Sequence, residues 1–198
     1  VLAPDEKELG VALIDLGGLK PAQKGLIHAG AGGVGTFAIQ LAKHLGATVT
    51  TTASARNHDL VRSLGAERVV DHTTTPLDTL GEHFDVVLDI AGHRPVRVLR
   101  RLLTERGCLV VVGSENEGRW IGGLQRAMGA ALLSPFVKQR LTALLSKEKG
   151  ADMARLAALV EQGQVRPVVD RTFPLDDAAD ALRYVGAGHT RGKVVVTL

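Results

Sequence analysis

Apolar positions along this chain gather into short, nearly unbroken runs separated by longer stretches with helical spacing. The runs at 26–29, 48–52, 68–70, 86–90 and 109–112 are rich in Val, Ile, Leu and Thr. They lack the in–out alternation of a strand with one wet face, which marks strands covered on both sides. Between them, over 36–45, 57–64 and 95–103, apolar residues recur three or four apart, as in Phe37, Ile39, Leu41, Ala42 and Leu45. Doubly covered strands joined by helical crossovers predict an α/β fold, a doubly wound parallel Rossmann sheet with strand order 3-2-1-4-5-6. Further along, 121–137 reads as helix and loop, 140–145 as a sixth strand, and 153–161 as a helix carrying Leu156, Leu159 and Val160. The chain then closes with a strand (168–173), a helix (175–185) and a strand (194–198), elements expected to pair outside the main sheet. Residues 1–165, opening with a helix, form the predicted Rossmann unit, and 166–198 a separate strand–helix–strand piece.

Directly behind the first run stands Gly30-Ala31-Gly32-Gly33-Val34-Gly35, and behind that the first helical pattern. A strand, a G-x-G-x-x-G turn and a helix in that order make a phosphate cradle. Gly30 permits the tight turn, Gly32 lets backbone approach a pyrophosphate, and Gly35 allows helix and strand to pack closely. The helix start contributes free N–H groups and the positive end of its dipole. In sheets that bind NAD, an acidic residue near the end of the second strand holds the ribose 2′-hydroxyl. No Asp or Glu occurs between Gly30 and His58 here, and the corresponding stretch is Thr52-Ala53-Ser54-Ala55-Arg56-Asn57. A carboxylate would repel a 2′-phosphate, whereas the hydroxyl of Ser54, the guanidinium of Arg56 and the amide of Asn57 can bond one. The expected cofactor is therefore NADP(H). Ser54 and Asn57 can also cap the helix that follows, a role compatible with phosphate contact.

Composition narrows the function classes. The chain has 198 residues, 45% hydrophobic and 23% charged, within the range of globular proteins. A net charge of +3 with 3% aromatic residues lacks the clustered basic and aromatic surface of nucleic-acid binders. The longest apolar stretch, 128–137, contains a proline and is too short to cross a bilayer, and no basic-then-apolar leader opens the chain. The single cysteine, Cys108, excludes an internal disulfide and a cysteine-rich zinc lobe, and it suits a reducing, cytoplasmic location. Cys108 itself reads as a small buried hydrophobe, and His28, in mid-strand, as a packed histidine. The seven histidines are scattered without metal-ligand spacing, and Ser114 lacks the G-x-S-x-G context of a hydrolase nucleophile.

Three segments together are more specific than the glycine turn: Leu26-Ile27-His28-Ala29-Gly30-Ala31-Gly32-Gly33-Val34-Gly35, Ser63-Leu64-Gly65-Ala66, and 84–92, which reads FDVVLDIAG. With 165–170 (VRPVVD) and 188–195 (GHTRGKVV), they resemble the medium-chain dehydrogenase/reductase superfamily, in its zinc-free quinone oxidoreductase branch. The resemblance runs from about residue 11 to Leu198. It implies hydride transfer from NADPH to a small-molecule electron acceptor, a quinone or a double bond conjugated to a carbonyl. It also implies an amino-terminal catalytic domain absent from this sequence, to which 166–198 would return, and a homodimer formed through the edge strand at 140–145. By position, the resemblance puts Ala29 to Gly35 on the pyrophosphate, and Ser54 and Arg56 at the 2′-phosphate. His72 stands where the family often has a tyrosine against that phosphate. Ala91 and Gly92, then Val112, Gly113 and Ser114, and finally Ser146, would line the remainder of the dinucleotide. No residue of this chain is assigned to catalysis. Two rival readings stay open: a nucleotide-binding module without catalysis, and a fragment of a zinc-dependent alcohol dehydrogenase.

Overall fold

The computed structural model describes residues 16–92, 94–112, 137–144 and 150–198. The expected opening helix and most of 121–137 lie outside these residues. Strands β1 (Lys24–His28), β2 (Thr48–Thr52), β3 (Arg68–Val70), β4 (Phe84–Asp89), β5 (Leu103–Val111) and β6 (Arg140–Ala143) form one sheet in the order β3-β2-β1-β4-β5-β6. Every pairing in it is parallel, as predicted. Helices α1 (Gly33–His44), α2 (His58–Ser63) and α3 (Val96–Arg101) are the crossovers.

The unbroken apolar runs have a direct cause in the two cores. Ile27, Val86, Leu88 and Val110 pack on one face with Phe37, Ile39 and Leu41 of α1. Their chain neighbours Leu26, Val87, Leu109 and Val111 pack on the other, with Leu77, Leu99 and Leu102. Each large apolar side chain sealed this way contributes about 1.5–3 kcal/mol relative to exposure.

One boundary moves. The helix predicted over 95–103 ends at Arg101, and the strand predicted over 109–112 begins six residues earlier, at Leu103. Phe84 pairs with Leu103, then the register shifts so that Val86 pairs with Cys108. The polar residues Thr104, Glu105 and Arg106 occupy this irregularity, which hides the strand from a search for apolar runs. Gly107 makes it possible, because a Cβ there would stand 2.9 Å from the Phe84 carbonyl oxygen.

Cys108 is buried, as predicted, with Arg140 Nε donating to its Sγ at 3.3 Å. Burial pushes the thiol above its ordinary pKa, against the opposing effect of Arg140. A raised folded-state value means the associated stability is intact below the unfolded thiol's pKa and is lost as pH rises through the folded one. Cys108 is therefore expected to resist iodoacetamide at pH 8 in the folded chain and react on denaturation. Mass spectrometry showing equal rates in both states would contradict this.

Beyond the sheet, α4 (Gly150–Glu161) buries Leu156 in the first core, together with Val165. Strands β7 (Val169–Pro174) and β8 (Lys193–Thr197) pair in parallel as a second sheet of two strands, joined through α5 (Ala178–Gly186). The closing elements thus pair away from the main sheet, as expected. Leu175, Leu182 and Leu198 stand exposed there, Leu182 by 74%. Among the described residues no helix is long and apolar enough to cross a membrane.

Candidate functional site

The site starts at the carboxyl end of β1. Ala29 adopts φ +71, its N–H donates to Thr52 Oγ1 at 2.9 Å, and the Gly30 N–H donates to the Thr52 carbonyl at 2.9 Å. These bonds tie the turn to β2. The three motif glycines then separate by what a side chain would meet. A Cβ on Gly30 would lie 2.0 Å from Thr51 Oγ1, and one on Gly35 would lie 2.3 Å from the Ala29 carbonyl oxygen. Packing alone requires both to be glycine. A Cβ on Gly32 meets nothing among the described residues nearer than 3.7 Å, at φ −77 and ψ 174, which any residue adopts. The protein's own packing does not require glycine at 32. Close approach of a ligand to the backbone would.

Gly32 is also the N-cap of α1, which has no side-chain cap and no acid in its first turn. The Thr36 N–H bonds the Gly32 carbonyl, so the N–H groups of 33–35 are left at the helix's positive end. Above them opens a pocket of about 820 Å³. It is bounded by the glycine turn, residues 52–57, His72 and Thr73, Ile90 and Ala91, and a stretch of the carboxyl end.

Of the residues singled out from sequence, Ala31, Gly32, Gly33, Val34, Ser54, Arg56, Asn57, His72 and Ala91 line this pocket. Gly30 and Gly35 lie beneath it, as the packing of their would-be side chains requires. Gly92 and Val112 are not in its wall, and Val112 packs against the first core. Gly113, Ser114 and Ser146 lie outside the described residues.

The wall after β2 is electrostatically open to an anion. Neither Ser54 nor Asn57 makes a side-chain cap, although each occupies an N-cap position. Instead Asn57, only 6% exposed, donates from Nδ2 to Ser54 Oγ at 3.3 Å, and its Oδ1 has no partner among the described residues. Arg56 extends an Nη2 to the His189 carbonyl at 3.3 Å. The acid beside this wall, Asp71, is engaged elsewhere. Hydrogen bonds from the Thr73 hydroxyl and N–H, at 2.6 and 2.9 Å, hold its carboxyl below the usual range.

Sequence reasoning missed the carboxyl end as part of this site. Gly188, His189, Thr190, Gly192, Lys193 and Val194 all line the pocket. The Gly192 N–H donates to the Ala31 carbonyl at 2.9 Å, and Gly32 and Gly192 form an isolated parallel bridge. Gly192 sits at φ +81, where a Cβ would meet the Val168 carbonyl oxygen at 2.3 Å, and a Cβ on Gly33 would meet the Lys193 side chain at 3.0 Å. A signal existed in the Gly192-Lys193 pair, a positive-φ glycine presenting a cation. His28, read as a packed histidine, is buried as expected and also reaches the pocket wall. Among the described residues no group of three or more His, Cys, Asp or Glu side chains is arranged to hold a metal.

A Rossmann cradle opens here beside a basic and amide-lined wall, at the β1/β4 point where the strand order reverses. Together these define a nucleotide-binding domain of the dehydrogenase type. Residues 64–196 match the family model of the zinc-binding dehydrogenases, and the chain belongs to that family, within the medium-chain dehydrogenase/reductase superfamily. It is 33% identical over 175 residues to a chloroplast envelope quinone oxidoreductase homolog of Arabidopsis thaliana, covering 86% of this chain and 51% of that protein. It is 36% identical over 177 residues to a chloroplastic NADPH-dependent alkenal/one oxidoreductase of the same plant, covering 86% of this chain and 39% of the relative. The quinone oxidoreductase structure from Coxiella burnetii superposes with a TM-score of 0.85 at 32% identity, over all of this chain and 59% of that one. The chain thus spans about half the length of the curated quinone oxidoreductases it matches.

Proposed function

We propose that this chain is the dinucleotide-binding part of a zinc-independent oxidoreductase that delivers hydride from NADPH to quinones or to double bonds conjugated with a carbonyl. The observation that carries the cofactor choice is the wall after β2. It holds Ser54 and Asn57 with their caps unmade, Arg56 between them, His72 in the same lining, and no carboxylate among the described lining residues. The family's quinone and alkenal/one oxidoreductases support the reaction class.

In this reading the N–H groups of 33–35 and the Lys193 ammonium hold the pyrophosphate, while Ser54, Arg56, Asn57 and His72 hold the 2′-phosphate. The bound cofactor supplies the hydride, and this chain supplies position and charge. Groups that stabilise the developing oxyanion belong to a catalytic domain on residues outside this chain. Residues 1–165 serve as the cofactor unit, and 166–198 dock on that domain. The exposed leucines 175, 182 and 198 support the docking, as does a two-stranded sheet too small to be stable alone. The β6 edge is the proposed homodimer contact and the cytoplasm the proposed location.

Calorimetric titration of the chain with NADPH and NADH tests the cofactor assignment. Arg56→Ala is expected to cost NADPH about 1.5–3 kcal/mol, the value of a charge-assisted hydrogen bond, and to leave NADH unchanged. Equal losses for both would make Arg56 a scaffold residue, and a wild-type preference for NADH would overturn the NADPH reading. Metal analysis of the purified protein tests the zinc-free part.

A further inference from the structure

His28 and Asp89 are register partners on the adjacent strands β1 and β4. Their side chains meet at 2.8 Å, Nδ1 to Oδ1, with Asp89 fully buried and the His28 side chain 8% exposed. They lie across the sheet's switch point, where a bound ligand crosses the strand ends. On the same face the preceding positions, Leu26 and Val87, are apolar core. Two more apolar side chains would fill this place without the desolvation penalty of an ionisable pair.

A carboxylate accepts hydrogen bonds, so against Asp89 the neutral His28 ring carries its proton on Nδ1. That assignment leaves Nε2 with an outward lone pair. Nothing among the described residues bonds Nε2, and it is not sealed away, since Asn57 Oδ1 is the described side-chain atom that is both buried and unpartnered. His28 lines the pocket beside Ile90 and Ala91. We infer that the Asp89-oriented His28 is an additional ligand-binding residue, whose Nε2 accepts a hydrogen bond from a ribose hydroxyl of the bound dinucleotide. Asp89 acts as the positioning residue that fixes the tautomer. This inference rests on the proposed dinucleotide site.

The discriminating variant is His28→Asn. Its amide nitrogen takes the place of Nδ1 and keeps Asp89 bonded, while nothing replaces Nε2. A purely structural pair would leave both the melting temperature and the NADPH affinity of this variant unchanged. The expected result is a melting temperature close to wild type with NADPH bound about three- to tenfold more weakly, the effect of one neutral hydrogen bond. Nitrogen-15 spectra of the unmutated chain give a second readout that needs no variant to fold. Nε2 of His28 is expected unprotonated in the free chain and shifted on adding NADPH. Wild-type affinity in His28→Asn, a protonated Nε2, or a resonance that does not respond to NADPH would each overturn the inference. Failure of the unmutated chain to bind NADPH or NADH would instead overturn the dinucleotide site itself.

Discussion

Gly32→Ala is expected to weaken NADPH binding roughly 30-fold while leaving the melting temperature within about 2 °C of wild type. The backbone there already has φ −77 and ψ 174, and the new methyl group would meet no atom of the described residues nearer than 3.7 Å. Folding loses only the modest preference of the α1 N-cap for Gly over Ala. A ligand lying on the N–H groups of 33–35 would be pushed away by the methyl, at the loss of one charge-assisted hydrogen bond or more. Such a bond is worth about 1.5–3 kcal/mol, which sets the size of the effect. Isothermal titration beside a thermal melt separates the two terms. Unchanged affinity would mean that the pyrophosphate does not lie on this turn.

Gly35→Ala should behave in the opposite way and unfold the chain at lower temperature. A Cβ at this position would stand 2.3 Å from the Ala29 carbonyl oxygen and 2.6 Å from Gly30 Cα, both backbone atoms. No rotamer relieves a backbone clash, so α1 must lift from β1 and open the core around Phe37 and Ile39. Overpacking of this kind costs about 1–3 kcal/mol or more, which for a chain of this size lowers the melting temperature by roughly 5–10 °C. A melt indistinguishable from wild type would show that α1 and β1 have slack that these distances deny. The two variants, three residues apart in one motif, thus divide binding from packing.

The cradle was legible because its chemistry is local. A strand, a turn and a helix start lie within twelve consecutive residues, and Gly35 answers to Ala29 just before the turn, although Gly30 answers to Thr51 on β2. The missing acid after β2 was legible for the same reason. Less was visible at β5, where polar residues 104–106 interrupt the apolar signal and only pairing with Phe84 reveals the strand. The histidine pair shows a different limit. His28 and Asp89 are 61 positions apart, and nothing in either neighbourhood announces the other.

Sequence by itself determined the parallel sheet, its strand order, the glycine turn and the absence of a carboxylate where a 2′-hydroxyl would need one. These follow from hydrophobic period and backbone sterics, which act over short spans of chain. Only the tertiary structure decided that Gly192 and Lys193 close over the glycine turn, that Asn57 leaves its cap unmade, and that His28 leans on Asp89 at the pocket floor. The Gly192 and His28 contacts depend on strand register and on where the chain returns after more than sixty residues. Hydrogen bonds at such separations are set by the assembled sheet rather than by local preference.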